Sequence, residues 1–173
     1  MTRITLLGST GFIGSHVLRR LEARGLDHET PARDEDLRGR DLGSIVDCAG
    51  VTDVRERPVE AVGANVCRIE RILRESRCES LTYLSSLSVY RRGGAPARED
   101  DVLALLPSSA QDLYAVTKAM GESLVLSGHP HGRVARLASV YGADLRSRRF
   151  LSSVLREVVA TGRVTLGMGL DSS

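Results

Sequence analysis

Twenty-three arginines share this chain with one lysine, Lys118. An ammonium is a compact donor whose pKa responds to its surroundings, whereas a guanidinium is planar and stays charged. Tyr114 stands four residues earlier, so on a helix the two side chains share a face. A phenol with a pKa near 10 is a poor base at neutral pH, and a neighbouring ammonium favours its ionised form. The pair therefore reads as a centre for proton transfer; the alternative is a stray lysine in an arginine-rich chain. A second motif is Gly8-Ser-Thr-Gly11-Phe-Ile-Gly14. Glycines at this spacing permit a tight turn, close approach of backbone N–H groups to a pyrophosphate, and tight packing of the following helix, whose N-terminus attracts the phosphates. The alternative here is a plain turn.

The surrounding pattern supplies the elements that would position both motifs. Ile4-Thr-Leu-Leu7 reads as a buried strand before the glycines. Residues 12–24 follow with Ile13, Val17, Leu18 and Leu21 at helical spacing, and Gly25 as a C-terminal cap. Residues 26–33 should hold a weak second strand, with Pro31 inside. Strands are expected at 44–49, 80–85 and 133–137, with another beginning at Val164. Amphipathic helices are expected at 59–77, at 109–126 behind a Ser109-Ala-Gln-Asp112 capping pattern, and at 150–160 before Gly162. Strand–helix alternation of this kind specifies a Rossmann-type doubly wound parallel sheet with helices on both faces. The expectation is a single domain over residues 1–173.

Composition removes several function classes. Aromatic residues make up 3% of the chain, with no Trp, which argues against base stacking on single-stranded nucleic acid. The net charge is +2, and the arginines alternate with acids, as a solvated, ion-paired surface does. No nucleic-acid partner is expected. No apolar stretch reaches the roughly 18 residues of a membrane helix, and the N-terminus does not read as a signal peptide. Cys48, Cys67 and Cys78 have no metal-ligand spacing and read as small core residues of a chain in a reducing cytoplasm. His16, His28, His129 and His131 read as surface or loop residues, and Tyr83, Tyr90 and Tyr141 as packing residues. No metal is expected.

The glycine spacing, combined with Tyr114 and Lys118, resembles the short-chain dehydrogenase/reductase superfamily. More narrowly it resembles the extended branch, the NAD-dependent epimerase/dehydratase family. Val46-Asp-Cys-Ala-Gly50, Asn65-Val66, Leu84-Ser-Ser-Leu-Ser-Val-Tyr90, Glu99 and Arg136-Leu-Ala-Ser-Val-Tyr-Gly142 match further family segments in order. The resemblance implies hydride transfer between a nicotinamide and a nucleotide sugar, with Tyr114 as acid/base. Ser86 would hold the substrate oxygen, with Ser85 its nearest rival, and Lys118 would serve both the phenol and the nicotinamide ribose. It implies an NAD(P) site made by Gly8, Ser9, Thr10, Gly11, Phe12, Ile13, Gly14, Arg33, Ala49, Gly50, Val51 and Asn65, with Tyr114 and Lys118. Asn65 would order backbone and water there.

Arg33 follows the position at which an NAD-binding acid would stand, which favours NADP, while Asp34 keeps NAD open. The stretch between Arg33 and Ser44 is short for the family, so a strand or crossover helix there is expected to be missing or abbreviated. The family's C-terminal substrate lobe is also expected to be missing, as in a fragment. An epimerase or reductase is expected; Leu87-Ser88 after Ser86, where a dehydratase carries Asp-Glu, disfavours that chemistry. The alternative is a cofactor-binding module without turnover. The resemblance further implies a homodimer through helices 59–77 and 109–126.

Overall fold

The computed structural model describes residues 3–91, 96–109, 112–142 and 150–164. In chain order they form β1 (Ile4–Leu7), α1 (Phe12–Ala23), β2 (His28–Glu29), β3 (Ser44–Asp47), α2 (Pro58–Val62), a π turn (Gly63–Cys67), α3 (Arg68–Glu75), β4 (Ser80–Ser86), a 3-10 turn (Leu87–Tyr90), α4 (Leu113–Gly128), β5 (Gly132–Leu137) and α5 (Phe150–Thr161). The five strands are parallel, in the order β2-β1-β3-β4-β5. This is the expected doubly wound α/β architecture. The chain moves one way from β1 and the other way from β3, so right-handed crossovers place α1 on one face and α3 and α4 on the other. Thr5, Leu6 and Leu7 of β1 are all buried, as a strand covered on both sides requires.

The chain divides into two compact units, Met1–Ala138 and Ser139–Ser173. The first contains the sheet. Its core gathers Leu7, Leu42, Ile45, Ile69, Ile72, Leu81, Tyr83 and Val125. A smaller cluster of Val51, Val54 and Ala61 packs with Ala64, Leu113 and Tyr114. In the second unit α5 ends as its sequence predicts: Gly162 takes φ +69° and donates its N–H to the Val158 carbonyl at 2.8 Å.

The shortness of the sequence after Arg33 has a structural counterpart. Residues 30–43 carry the chain from β2 to β3 without a helix or a further sheet strand. They are clamped to the end of α3 instead. Gly39 N–H donates to Glu75 O at 2.7 Å, Arg77 N–H to Arg40 O at 2.9 Å, and Leu42 N–H to Arg77 O at 2.8 Å. Ser76 Oγ donates to Leu37 O at 2.9 Å. Leu42 is fully buried by this crossing.

Several expectations need correction. The 59–77 helix is interrupted by the π turn, whose extra residue per turn is common at functional sites. The helix expected from Ser109 begins at Leu113, because the Asp112 carboxylate turns back to accept the Leu106 N–H at 3.0 Å. Of the strand expected from Val164, Thr165 and Leu166 lie outside the described residues, and Val164 itself is in no strand. Cys67 is exposed, not a core residue, and Tyr141 is exposed, not packed.

Candidate active site

β1 delivers the chain directly into the glycine turn. Gly8 has φ +74°, and a Cβ there would lie 2.6 Å from the Ala49 backbone. A Cβ on Gly14 would lie 2.0 Å from the Gly8 carbonyl oxygen. Both positions exclude any side chain, so the first turn of α1 is drawn against the ends of β1 and β3. No side chain caps the N-terminus of α1, and no acid stands in its first turn. That leaves a positive helix end facing the place where the strand order reverses.

A groove of about 1020 Å³ opens at this switch point. Gly8, Ser9, Thr10, Gly11, Arg33, Ala49, Gly50 and Val51 all line it. Phe12 and Ile13 are half-buried in the first turn of α1 and are not among its lining residues. Residues 30–38 form its far wall, where Arg38 holds the Asp36 carboxyl down to about 2. The groove is thus a glycine-floored cleft whose far wall carries Arg33 and Arg38 beside Asp34, Glu35 and Asp36, with the uncapped helix end as its place for a diphosphate.

Asn65 lies in the π turn, fully buried behind the groove wall. Its side chain holds Val51 by both backbone groups: Val51 N–H donates to Oδ1 at 3.3 Å, and Nδ2 donates to Val51 O at 3.2 Å. Nδ2 also reaches Thr117 Oγ1 on α4 at 3.1 Å. The Asn65 carbonyl accepts the Tyr83 hydroxyl at 3.1 Å. Asn65 therefore ties the loop after β3, β4 and α4 together.

Lys118 is 4% exposed. Its Nζ donates to the Leu84 carbonyl at 2.9 Å and stands 4.6 Å from the centre of the Tyr83 ring and 6.0 Å from that of Tyr114. Burial lowers its pKa to about 8, with the Asp47 carboxylate opposing that shift and Arg68 adding to it. A Cβ on Gly50 would lie 3.3 Å from Nζ, so one bare glycine separates the ammonium from the groove. Tyr114 is half-buried and lines a smaller hollow of about 310 Å³, which shares Thr52 and Asp53 with the groove.

The two serines differ in surroundings. β4 alternates, so Ser85 is buried on the side of Leu81 and Tyr83, and its Oγ has no hydrogen-bond partner among the described residues. Ser86 is half-buried at the strand end, where its Oγ accepts the Ser88 N–H at 3.2 Å and caps the 3-10 turn.

A model of the protein family described as the NAD dependent epimerase/dehydratase family matches residues 4–171. The chain belongs to this family. Among curated proteins it is 29% identical, over 84% of its own length and 54% of the relative's, to a probable dTDP-4,6-dihydroxy-2-methyloxan-3-one 4-ketoreductase of Streptomyces antibioticus. The chain thus spans about half of that relative. Among solved structures, the UDP-glucuronic acid 4-epimerase of Bacillus cereus in complex with NAD superposes with a TM-score of 0.74 at 18% identity, over 91% of this chain and 63% of the other. RMD of Pseudomonas aeruginosa complexed with NADPH gives 0.71 at 20% identity, over 91% and 61%. These two structural likenesses carry the fold.

Two buried acids near Lys118 are not evident from the sequence of this epimerase/dehydratase-family chain. Glu122 stands four residues after Lys118 on the same helix face, a spacing that could have revealed it. It is buried and paired with Arg136 of β5 at 2.7 Å, and Arg136 also reaches the Tyr90 hydroxyl and the Glu99 carbonyl. This one network joins three of the family segments. Asp47 is fully buried and paired with Arg68 at 2.8 Å; it stands inside the Val46–Gly50 segment, but nothing in the sequence pointed to Arg68 as its partner.

Proposed function

We propose that this chain carries the cofactor-binding and proton-handling part of an NAD(P)-dependent epimerase or reductase that acts on a nucleotide sugar. The observation that carries the reading is Lys118: the one lysine is buried, bonded to the end of β4, and separated from the glycine groove only by Gly50. In this reading the glycine turn and the α1 N-terminus hold the cofactor diphosphate. Ala49, Gly50 and Val51 line its path toward Tyr114. The bound nicotinamide supplies the hydride acceptor or donor. Tyr114 exchanges the proton of the sugar hydroxyl as the hydride moves, and Lys118 favours the phenolate. Ser86 holds the substrate oxygen; the free hydroxyl of Ser85 keeps it as the rival.

Arg33 in the groove wall favours NADP. Fluorescence titration is expected to show tighter binding of NADPH than of NADH, and equal or reversed affinities would overturn that preference. Absence of binding by either would overturn the functional reading itself. The second reading, a binding module without turnover, predicts cofactor binding with no hydride exchange on any nucleotide sugar. Val59, Val62 and Met120 are exposed apolar residues on α2 and α4, which supports a homodimer through these helices. Sedimentation should find a dimer that Met120→Glu dissociates, and a monomeric parent chain would refute it.

A further inference from the structure

Asp47 and Arg68 form a charge pair that the proposed chemistry has not used. Asp47 ends β3 and is fully buried. Arg68 opens α3, lines the groove, and applies a single nitrogen, Nη2, to three acceptors: Asp47 Oδ1 at 2.9 Å, Asp47 Oδ2 at 2.8 Å and the Ala49 carbonyl at 2.9 Å. Asp47 Oδ1 also accepts the Ala49 N–H at 3.1 Å. The pair thereby holds both backbone groups of Ala49, the residue against which Gly8 packs too closely for a side chain. In the sheet Asp47 lies directly beside Tyr83, and the Lys118 ammonium stands over the Tyr83 ring.

We propose that Asp47 and Arg68 are positioning residues for Lys118 and for the cofactor-facing backbone at Ala49. Their opposed charges set the proton affinity of the lysine while their hydrogen bonds fix the groove wall. This inference rests on the reading of Lys118 given above. Among the described residues, the charged and titratable groups facing Lys118 are Asp47 from β3, Tyr83 from β4, Arg68 from α3, and Tyr114 and Glu122 from α4. Glu122 is engaged by Arg136, and burial holds the Tyr83 phenol in its neutral form. Asp47 acts on the lysine most strongly of these charges and Arg68 next, ahead of Glu122. Losing the carboxylate removes a charge that favours the ammonium, so the midpoint falls. Losing the guanidinium removes a charge that opposes it, so the midpoint rises.

The sequence makes the measurement direct, because one lysine gives one side-chain signal. The full chain, grown with carbon-13-labelled lysine, is titrated by NMR as wild type, Asp47→Asn and Arg68→Gln. Asp47→Asn should lower the Lys118 midpoint by about one pH unit, and Arg68→Gln should raise it by a similar amount. Shifts in the same direction, or no shift, overturn the proposal. If one variant does not fold, the sign of the other decides alone, since a merely structural pair would leave the midpoint in place. NADPH binding is followed across the same pH range and should change its pH dependence in step with the lysine. A wild type that binds no NADPH would count against the proposed function and leave the lysine titration to be judged separately.

Discussion

Lys118 shows what one buried amine can be asked to do. Its ammonium is compact enough to sit beneath Gly50 while bonding the Leu84 carbonyl. A guanidinium would have to spread over the Tyr83 ring, Asn65 and Gly50 at once. Lys118→Arg is therefore expected to keep the fold but weaken NADPH binding at least tenfold, about 1.4 kcal/mol; unchanged binding in a fluorescence titration would refute the role. Gly50→Ala tests the same spot from the other side. The added Cβ would meet Asn65 Oδ1 at 3.0 Å and Lys118 Nζ at 3.3 Å. Both are tighter than ordinary contact, so the variant should bind cofactor several-fold more weakly while its thermal midpoint moves little. A large loss of stability with normal binding would show that Gly50 serves packing instead. At this scale the sequence disclosed residue types better than partners. Lys118 and Asn65 were legible as the sole lysine and as part of a motif. Asp47–Arg68 and Glu122–Arg136 were not, since each pair joins separate elements and no periodicity links its members.

The elements were legible where local chemistry sets them. β1, the glycine turn and α1 follow from an apolar run, three glycines and a helix closed at Gly25, which takes φ +59°. The start of α4 departs from the Ser109 capping pattern, and the Asp112 carboxylate serves the Leu106 N–H instead. The π turn left no sequence mark that a helical wheel detects. It matters for the packing here because it carries Asn65, whose carbonyl accepts the Tyr83 hydroxyl beneath α4. Gly121 makes that arrangement possible: a Cβ there would lie 2.5 Å from the Tyr83 oxygen and 2.8 Å from the Asn65 carbonyl. Gly121→Ala should thus push α4 off the π turn and cost about 1–3 kcal/mol. Denaturant unfolding checks this, and a stability equal to the parent would mean that α4 approaches less closely than described.

For the unit as a whole, the site is set against stability. The folded chain holds the Lys118 pKa at about 8, against an ordinary 10.5. Below pH 8 the lysine is protonated in both folded and unfolded chains, so the full penalty of burying its charge weighs on folding. Between pH 8 and 10.5 the unfolded chain binds the proton that the folded chain has released, and stability contributed by this group rises with pH. The span corresponds to about 3 kcal/mol, a large share of what a domain of this size has. Lys118→Met removes the charge and the penalty together, at the cost of the bond to Leu84. Urea midpoints for the two chains should therefore converge as pH is raised from 8 to 10.5, the parent gaining on the methionine variant. A gap that stays constant across that window would show that the ammonium is not under strain. Its low proton affinity could then not be the reason that this position, alone among the basic residues, is lysine.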